Sequence, residues 1–267
     1  MIRLENLSLV FDAGTADEIE ALKNIDLTIK PGDFITIIGS NGAGKTSLFN
    51  AVSGTRPLSK GRIFISENNI EREITREPEY MRARYIGRIF QNPMLGTAGR
   101  MSLEDNMVIC SKKGYRGLKI SLNKKLREQF RSELAALGMG LENRLSDNVE
   151  LLSGGQRQAL TLLMTVMSRP SLLLLDEHTA ALDPRNAELV MDLTRRFTSE
   201  YNLTVMMITH NMNHAIEIGN RLLMMDSGEI IMNIDAEEKA KLTTPALVQR
   251  FKDIKKKDLA TDEILLG

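Results

Sequence analysis

The sequence predicts an α/β fold, with a mostly parallel sheet and a helical section inserted into it. Three observations carry this. The first is Gly39–Thr46, GSNGAGKT, set between the β-branched apolar run Phe34-Ile35-Thr36-Ile37-Ile38 and the helix-compatible Ser47-Leu48-Phe49-Asn50-Ala51-Val52. The second is that four polar groups each stand just past the carboxyl end of an apolar run. The third is a change of texture: strand-like runs stop after Pro93, a helical pattern fills Met94 to about Glu150, and strand–helix alternation resumes after Gly155.

Taken in order, Ile2–Phe11 is a predicted strand, followed by a polar loop through Ala16-Asp17-Glu18. Leu22–Ile29 is a second strand, stopped by the turn pair Pro31-Gly32. The apolar run at 34–38, the glycine-rich loop and its helix follow, the helix ending near Ser53-Gly54. Gly61–Ile65 is a strand, Ser66–Glu79 a charged surface loop, and Ile86–Phe90 a strand ending on Gln91-Asn92-Pro93. Ser102-Leu103-Glu104-Asp105 has the form of a capping box. Leu122, Leu126, Phe130, Leu134 and Leu137 recur at helical spacing, with Gly138 at the end. Between Lys112 and Arg127 stand seven basic residues and no acidic one; such a run is a solvated face or a neighbour of anionic lipid. Later elements are a buried strand Leu172–Leu175, a helix 184–200, a strand Thr204–Ile208, a helix Met212–Ile218, and strands 221–226 and 229–234 around the turn Ser227-Gly228. Thr244-Pro245 reads as the N-cap and first turn of a last helix, followed by a charged tail. Paired methionines such as Met206-Met207 and Met224-Met225 read as core filler. The expected division is 1–235 as one domain, with core 1–91 and 159–235 around a helical section of about 92–158, then a C-terminal helix and tail over 236–267.

Composition excludes several classes. In 267 residues Lys+Arg and Asp+Glu are both 35, so a whole-chain basic field for nucleic acid is absent and no nucleic-acid partner is expected. The single cysteine, Cys110, forms no internal disulfide and points to a reducing compartment. Charges in MIRLENLSLVFD argue against a signal peptide, and no apolar run approaches a bilayer span. The expectation is a soluble chain whose membrane role, if any, comes through a partner.

The chemistry starts at the glycine-rich loop. Gly39, Gly42 and Gly44 let the backbone turn its N–H groups inward at phosphate oxygens, and the helix adds its positive N-terminal end. Lys45 supplies a point charge for the β- and γ-phosphates and Thr46 a hydroxyl for Mg²⁺. Gln91 after Phe90, Asp176-Glu177 after Leu175 and His210 after Thr209 join the loop, because ligands of parallel sheets sit outside the carboxyl ends of the strands. Asp176 fits a metal-holding acid, Glu177 a base that orients and deprotonates water, and His210 a donor to the γ-phosphate. Leu152-Ser153-Gly154-Gly155-Gln156, at the start of a helix running to Met167, reads either as a second anion cradle or as an ordinary glycine turn with a serine cap.

GSNGAGKT, Gln91, LSGGQ at 152–156, LLLLDE at 172–177, AALD at 180–183 and His210 stand in the order of the ATP-binding cassette (ABC) ATPases, and the chain from about Ile2 to Ile234 resembles that family. The resemblance implies a P-loop core of the ABC ATPase type, with N-terminal antiparallel strands and an inserted helical subdomain, and ATP with Mg²⁺ as ligands. It implies that Gly39, Ser40, Asn41, Gly42, Ala43, Gly44, Lys45, Thr46 and Ser47 hold the nucleotide, that Phe11 stacks on adenine, and that Thr46, Gln91 and Asp176 hold the metal. It implies a head-to-tail dimer in which Ser153, Gly154, Gly155 and Gln156 face the partner's triphosphate and Asp183 contacts the facing subunit. For Phe11 and Asp183, a half-buried strand phenylalanine and an N-cap before Pro184 explain the residues equally well. One departure is His178 where the family usually has proline, which adds a titratable group near the site. MSRPSLLLLDE is most similar to ATPases of amino-acid importers. The implied role is an ATP-hydrolysing subunit bound to membrane permease subunits on the inner face of the cell membrane, with a separate extracytoplasmic solute-binding protein. The alternatives are a lipid or drug exporter, or a non-transport ABC ATPase.

Overall fold

The computed structural model describes residues 1–67, 70–111 and 122–254. The chain opens with β1 (Ile2–Phe11), β2 (Ile19–Ile29), β3 (Phe34–Gly39), α1 (Lys45–Ser53), β4 (Lys60–Glu67) and β5 (Ile70–Glu73). It continues through α2 (Glu79–Arg82), β6 (Ile86–Ile89), α3 (Leu103–Ser111), α4 (Lys124–Ala135) and α5 (Gly154–Met167), with short 3₁₀ turns at Leu141–Asn143 and Val149–Leu151. It closes with β7 (Leu172–Asp176), α6 (Pro184–Glu200), β8 (Val205–Ile208), α7 (Met212–Glu217), β9 (Arg221–Asp226), β10 (Glu229–Ile234), α8 (Ala236–Lys239) and α9 over 244–254.

Two sheets result. One is antiparallel, in the order β2-β1-β4-β5; the other runs β10-β9-β3-β8-β7-β6, parallel from β9 to β6 with β10 antiparallel at its edge. Side chains alternate across a strand, so β7 shows why the leucine run is continuous. Leu172 and Leu174 pack with α1 and the antiparallel sheet, through Leu48, Phe49, Leu7 and Ile25. Leu173 and Leu175 pack on the opposite face with α5, α6 and the helical section, through Leu160, Leu163, Val190 and Phe197. Met206, Met207, Met224 and Met225 are all buried, as core filler should be.

The helical section shares that second core. Phe130 and Leu134 of α4 and Met107 of α3 are buried in one cluster with Leu173 and Val205, and Leu122 and Leu126 pack against it half-buried. The expected boundary at 158/159 therefore falls inside α5, one continuous helix that belongs to both parts. Asn123 caps α4 by accepting from the Leu126 N–H at 2.9 Å.

Three expectations need correction or limits. Ser66–Glu79 is not simply loop: β5 pairs with β4, and α2 follows. Every residue of β5 is exposed, so no apolar alternation marked it. The cap of α9 is Thr243, not Thr244; its hydroxyl accepts from the Ala246 N–H and its carbonyl from Leu247. Most of the basic run from Lys112 and the end of the charged tail lie outside the described residues, while Arg127 is paired with Glu104 at 2.9 Å. No described helix is long and apolar enough to cross a membrane.

Candidate functional site

The parallel registers bring one edge of the sheet together. Ile37 stands beside Ile208, Ile208 beside Asp176, and Leu175 beside Ile89. The residues that follow β3, β6, β7 and β8 therefore lie along one rim, and that rim holds the phosphate loop, Gln91, Asp176-Glu177 and His210.

In the loop, Gly39 and Gly44 are required by space as well as angle. A Cβ at Gly39 would stand 2.2 Å from the Met225 carbonyl oxygen, and one at Gly44 (φ +94°) would stand 2.5 Å from that of Ala21. Gly44 is the N-cap of α1 with no side-chain cap, which leaves the first N–H groups of the helix open to an anion. Ser40 donates to Asp226 at 2.9 Å, Ala43 is buried, and Asn41, Gly42 and Thr46 are exposed, with Ser47 half-buried. Lys45 Nζ donates to the carbonyls of Gly39 and Ser40, both at 2.9 Å, leaving one N–H for a ligand. Burial pushes the Lys45 amine below the usual lysine range, and the carboxylates of Glu177 and Asp176 oppose that shift.

Asp176 shares a face with Leu172 and Leu174 and so points toward α1. Its Oδ2 accepts from Arg88 Nη2 at 2.8 Å. Glu177 is turned away from strand geometry by a left-handed backbone, φ +46°, pinned by its N–H to the Ile208 carbonyl at 3.2 Å and its carbonyl to the Ala180 N–H at 2.9 Å. A non-glycine residue held there costs about 1 kcal/mol or more, and the turn aims the carboxylate at the rim. Glu177 Oε1 lies 2.7 Å from His210 Nε2. Gln91 is exposed just past β6. Phe11, at the end of β1, is half-buried and carries the Arg56 guanidinium 5.9 Å from its ring centre.

The Ser153–Gln156 segment is built apart from the phosphate loop and has the serine cap that the plainer reading of it requires. Ser153 caps α5 with a reciprocal box: its Oγ accepts from the Gln156 N–H at 3.2 Å, and Gln156 Oε1 accepts from the Ser153 N–H at 3.1 Å. Ser153 and Gly154 are exposed. Gly155 is buried against Asn186, where a Cβ would stand 2.6 Å from Cγ. Asp183 caps α6 and is held below the usual carboxylate range by the Asn186 side-chain amide and N–H. Among the described residues no hydrogen bond joins 39–47 to 153–156.

His178, next to Glu177, is buried behind the rim and not open to it. Its side chain is buried, with Nε2 at 3.0 Å from Thr194 Oγ1, and desolvation, with a smaller push from His214, lowers it to about 4. All three histidines of the chain, His178, His210 and His214, line one cavity of about 250 Å³ with Glu177. A larger cavity, about 880 Å³, lies elsewhere, at the amino-terminal ends of β3 and β9 near Asp33 and Arg221, and shares no residue with the rim.

Sequence reasoning missed two buried polar groups. Arg88 is the one charged residue in the short apolar strand YIGRIF, an anomaly that marks it. Gln158, fully buried in α5, donates to the carbonyls of Phe90 at 3.1 Å and His178 at 2.7 Å, tying two strand ends together; nothing in its helical context singled it out.

A family model described as ABC transporter matches residues 22–180, more than half of the chain. The chain belongs to the ABC transporter family. This ABC ATPase is 37% identical over 254 residues to the tyrosine transport ATP-binding protein of Clostridioides difficile strain R20291, covering 94% of this chain and 98% of that one. It is 33% identical to a methionine import ATP-binding protein of Enterococcus faecalis strain ATCC 700802 / V583, covering 99% of this chain and 75% of that one. Among solved structures, a dimeric bacterial ABC transporter cassette superposes with a TM-score of 0.73 at 27% identity, covering 88% of this chain and 99% of that one. A post-hydrolysis ABC cassette dimer bound to ADP and phosphate gives a TM-score of 0.72 at 26% identity, with the same coverage. The fold is that of an ABC ATPase, and the chain is an ATP-hydrolysing subunit whose hydrolysis is coupled to transport.

Proposed function

We propose that this subunit powers import of a small solute of the amino-acid class, working as a head-to-tail pair beneath membrane permease subunits, with ATP between one copy's phosphate loop and the other's Ser153-Gly154-Gly155-Gln156. The observation that supports the pairing is a second glycine-rich helix start, with Ser153 and Gly154 exposed, that makes no hydrogen bond to the phosphate loop of its own chain. The tyrosine and methionine relatives support the solute class. Exposed Met94, Leu95, Met101 and Ile109 in and before α3 offer an apolar surface for a permease, and a separate solute-binding protein would deliver the cargo outside the membrane. Attachment on the inner face of the membrane follows from that docking.

Each residue has a part. Lys45 and the open N–H groups at the start of α1 hold the β- and γ-phosphates, and Phe11 takes the adenine. Glu177 takes the proton of the attacking water, and His210 Nε2 donates to Glu177 and holds its carboxylate for that task. Asp183 meets the facing subunit. Thr46, Gln91 and Asp176 form an all-oxygen donor set with a single carboxylate, which fits Mg²⁺ bound partly by phosphate and water. When bound, Mg²⁺ neutralises charge on the triphosphate.

The test uses Glu177→Gln, which keeps size and removes the base, so that ATP stays bound and an ATP-dependent dimer appears by light scattering. Adding Ser153→Glu places a carboxylate against the facing γ-phosphate. Like charges about 4 Å apart at an effective dielectric near 20 repel by roughly 4 kcal/mol. The dimer should be lost while the monomer still binds ATP. Ser153→Ala, which loses only the cap at about 1 kcal/mol, should still dimerise. A dimer that survives Ser153→Glu refutes the pairing, and loss of ATP from the monomer places both cradles on one site.

A further inference from the structure

Arg88 has no place in the roles above, yet its guanidinium is held by two elements of the site. β6 lies parallel to β7, with Arg88 beside Leu174. Alternation puts Ile86 and Arg88 on the face toward α1 and Ile89 on the other. The guanidinium is thereby wedged between two site elements. Nη1 donates to Asn50 Oδ1 of α1 at 2.7 Å, and Nη2 donates to Asp176 Oδ2 at 2.8 Å. The side chains of Arg88 and Asp176 are only 8% and 10% exposed. Arg88 Nε is buried with no acceptor, and the guanidinium lies 4.8 Å from the centre of the Phe90 ring, next to Gln91.

A buried arginine forfeits strong hydration, and leaving Nε unpaired adds to that cost, so its position needs a return. Its neighbours indicate one. The fork fixes one oxygen of Asp176 and leaves the other for a ligand, while Asn50 fixes the fork to the helix that carries Lys45 and Thr46. It also places a full positive charge beside the carboxylate. A divalent cation approaching Asp176 alone meets that charge; one arriving with a triphosphate brings excess negative charge that outweighs it.

We propose that Arg88 is the positioning residue of Asp176: a built-in counter-ion that orients the carboxylate and makes divalent-cation binding conditional on bound nucleotide. This rests on Asp176 holding the cation. Arg88 also links β6, and with it the Gln91 segment, to the occupancy of Asp176.

The test measures Mn²⁺ affinity by the electron paramagnetic resonance of free Mn²⁺, with and without a non-hydrolysable ATP analogue. In wild type the analogue should raise Mn²⁺ affinity strongly. Arg88→Met, which removes the charge but fills the space, should bind Mn²⁺ without nucleotide about tenfold or more tightly, as expected for losing a full charge in direct contact, so that the site fills at Mn²⁺ concentrations at which the wild type needs the analogue. Arg88→Lys should stay near wild type. Binding of a fluorescent ATP analogue in EDTA should be unchanged in both, showing an intact phosphate loop. Should Arg88→Met fail to fold, Arg88→Gln, which keeps amide donors without charge, carries the same expectation. Unchanged nucleotide-free Mn²⁺ affinity in the uncharged variant, or equal behaviour of the Lys and uncharged variants, overturns the proposal. Asp176→Asn separates the two levels: Mn²⁺ affinity with the analogue unaffected by Asp176→Asn would overturn the metal role itself and this proposal with it.

Discussion

His178 offers a prediction whose size follows from its surroundings. Thr194 Oγ1 donates to the Val190 carbonyl at 2.8 Å, so it must accept from His178, and the imidazole is the neutral Nε2–H tautomer. Burial, with a smaller push from His214, holds it at about 4 against an ordinary 6.5. Above pH 6.5 neither the folded nor the unfolded chain protonates this group, and its contribution is constant. As pH falls from 6.5 toward about 4, the unfolded chain takes the proton and the folded one does not, so stability drops. The full span corresponds to roughly 3 kcal/mol. His178→Gln places an amide donor near the same hydroxyl and does not titrate. Urea unfolding of both proteins at several pH values from 7.5 to 4.5 should show wild type losing about 2–3 kcal/mol more than the variant over that interval. Parallel curves would refute the neutral, desolvated imidazole.

Lys45→Ala should abolish hydrolysis and weaken ATP by roughly 2–3 kcal/mol, read by phosphate release and equilibrium nucleotide binding; equal activity would refute the site. His210→Ala leaves Glu177 without its 2.7 Å partner, and kcat should fall roughly a hundredfold while ATP affinity holds; a proportional loss of affinity would instead make His210 a binding group. Arg82, 2% exposed, donates to the carbonyls of Ala51 and Val52 at the end of α1 and to those of Thr75 and Glu77. Arg82→Met strands those acceptors and should cost about 3–5 kcal/mol in urea unfolding, with a loss under 1 kcal/mol showing that water replaces the guanidinium. Single cysteines at exposed Met94 and Met101, after replacement of Cys110, should crosslink to a membrane protein in cells; recovery of soluble partners alone would argue against permease docking.

The order of motifs along the chain determined the family and most of the elements. Glycines that must turn, an apolar run buried on both faces and caps such as Asp183 are local requirements, legible one segment at a time. β5 escaped because an exposed edge strand has no apolar alternation to betray it. The burial of His178 was hidden because its environment comes from Thr194, Met191, Met207 and His214, which its sequence neighbours do not announce. The same holds for Arg88 and Asp176, 88 residues apart and joined at 2.8 Å. A sequence specifies which groups carry charge and where the backbone must bend. Burial, partner distance and hence protonation are set by residues far away in the chain, and for those only the tertiary structure decides.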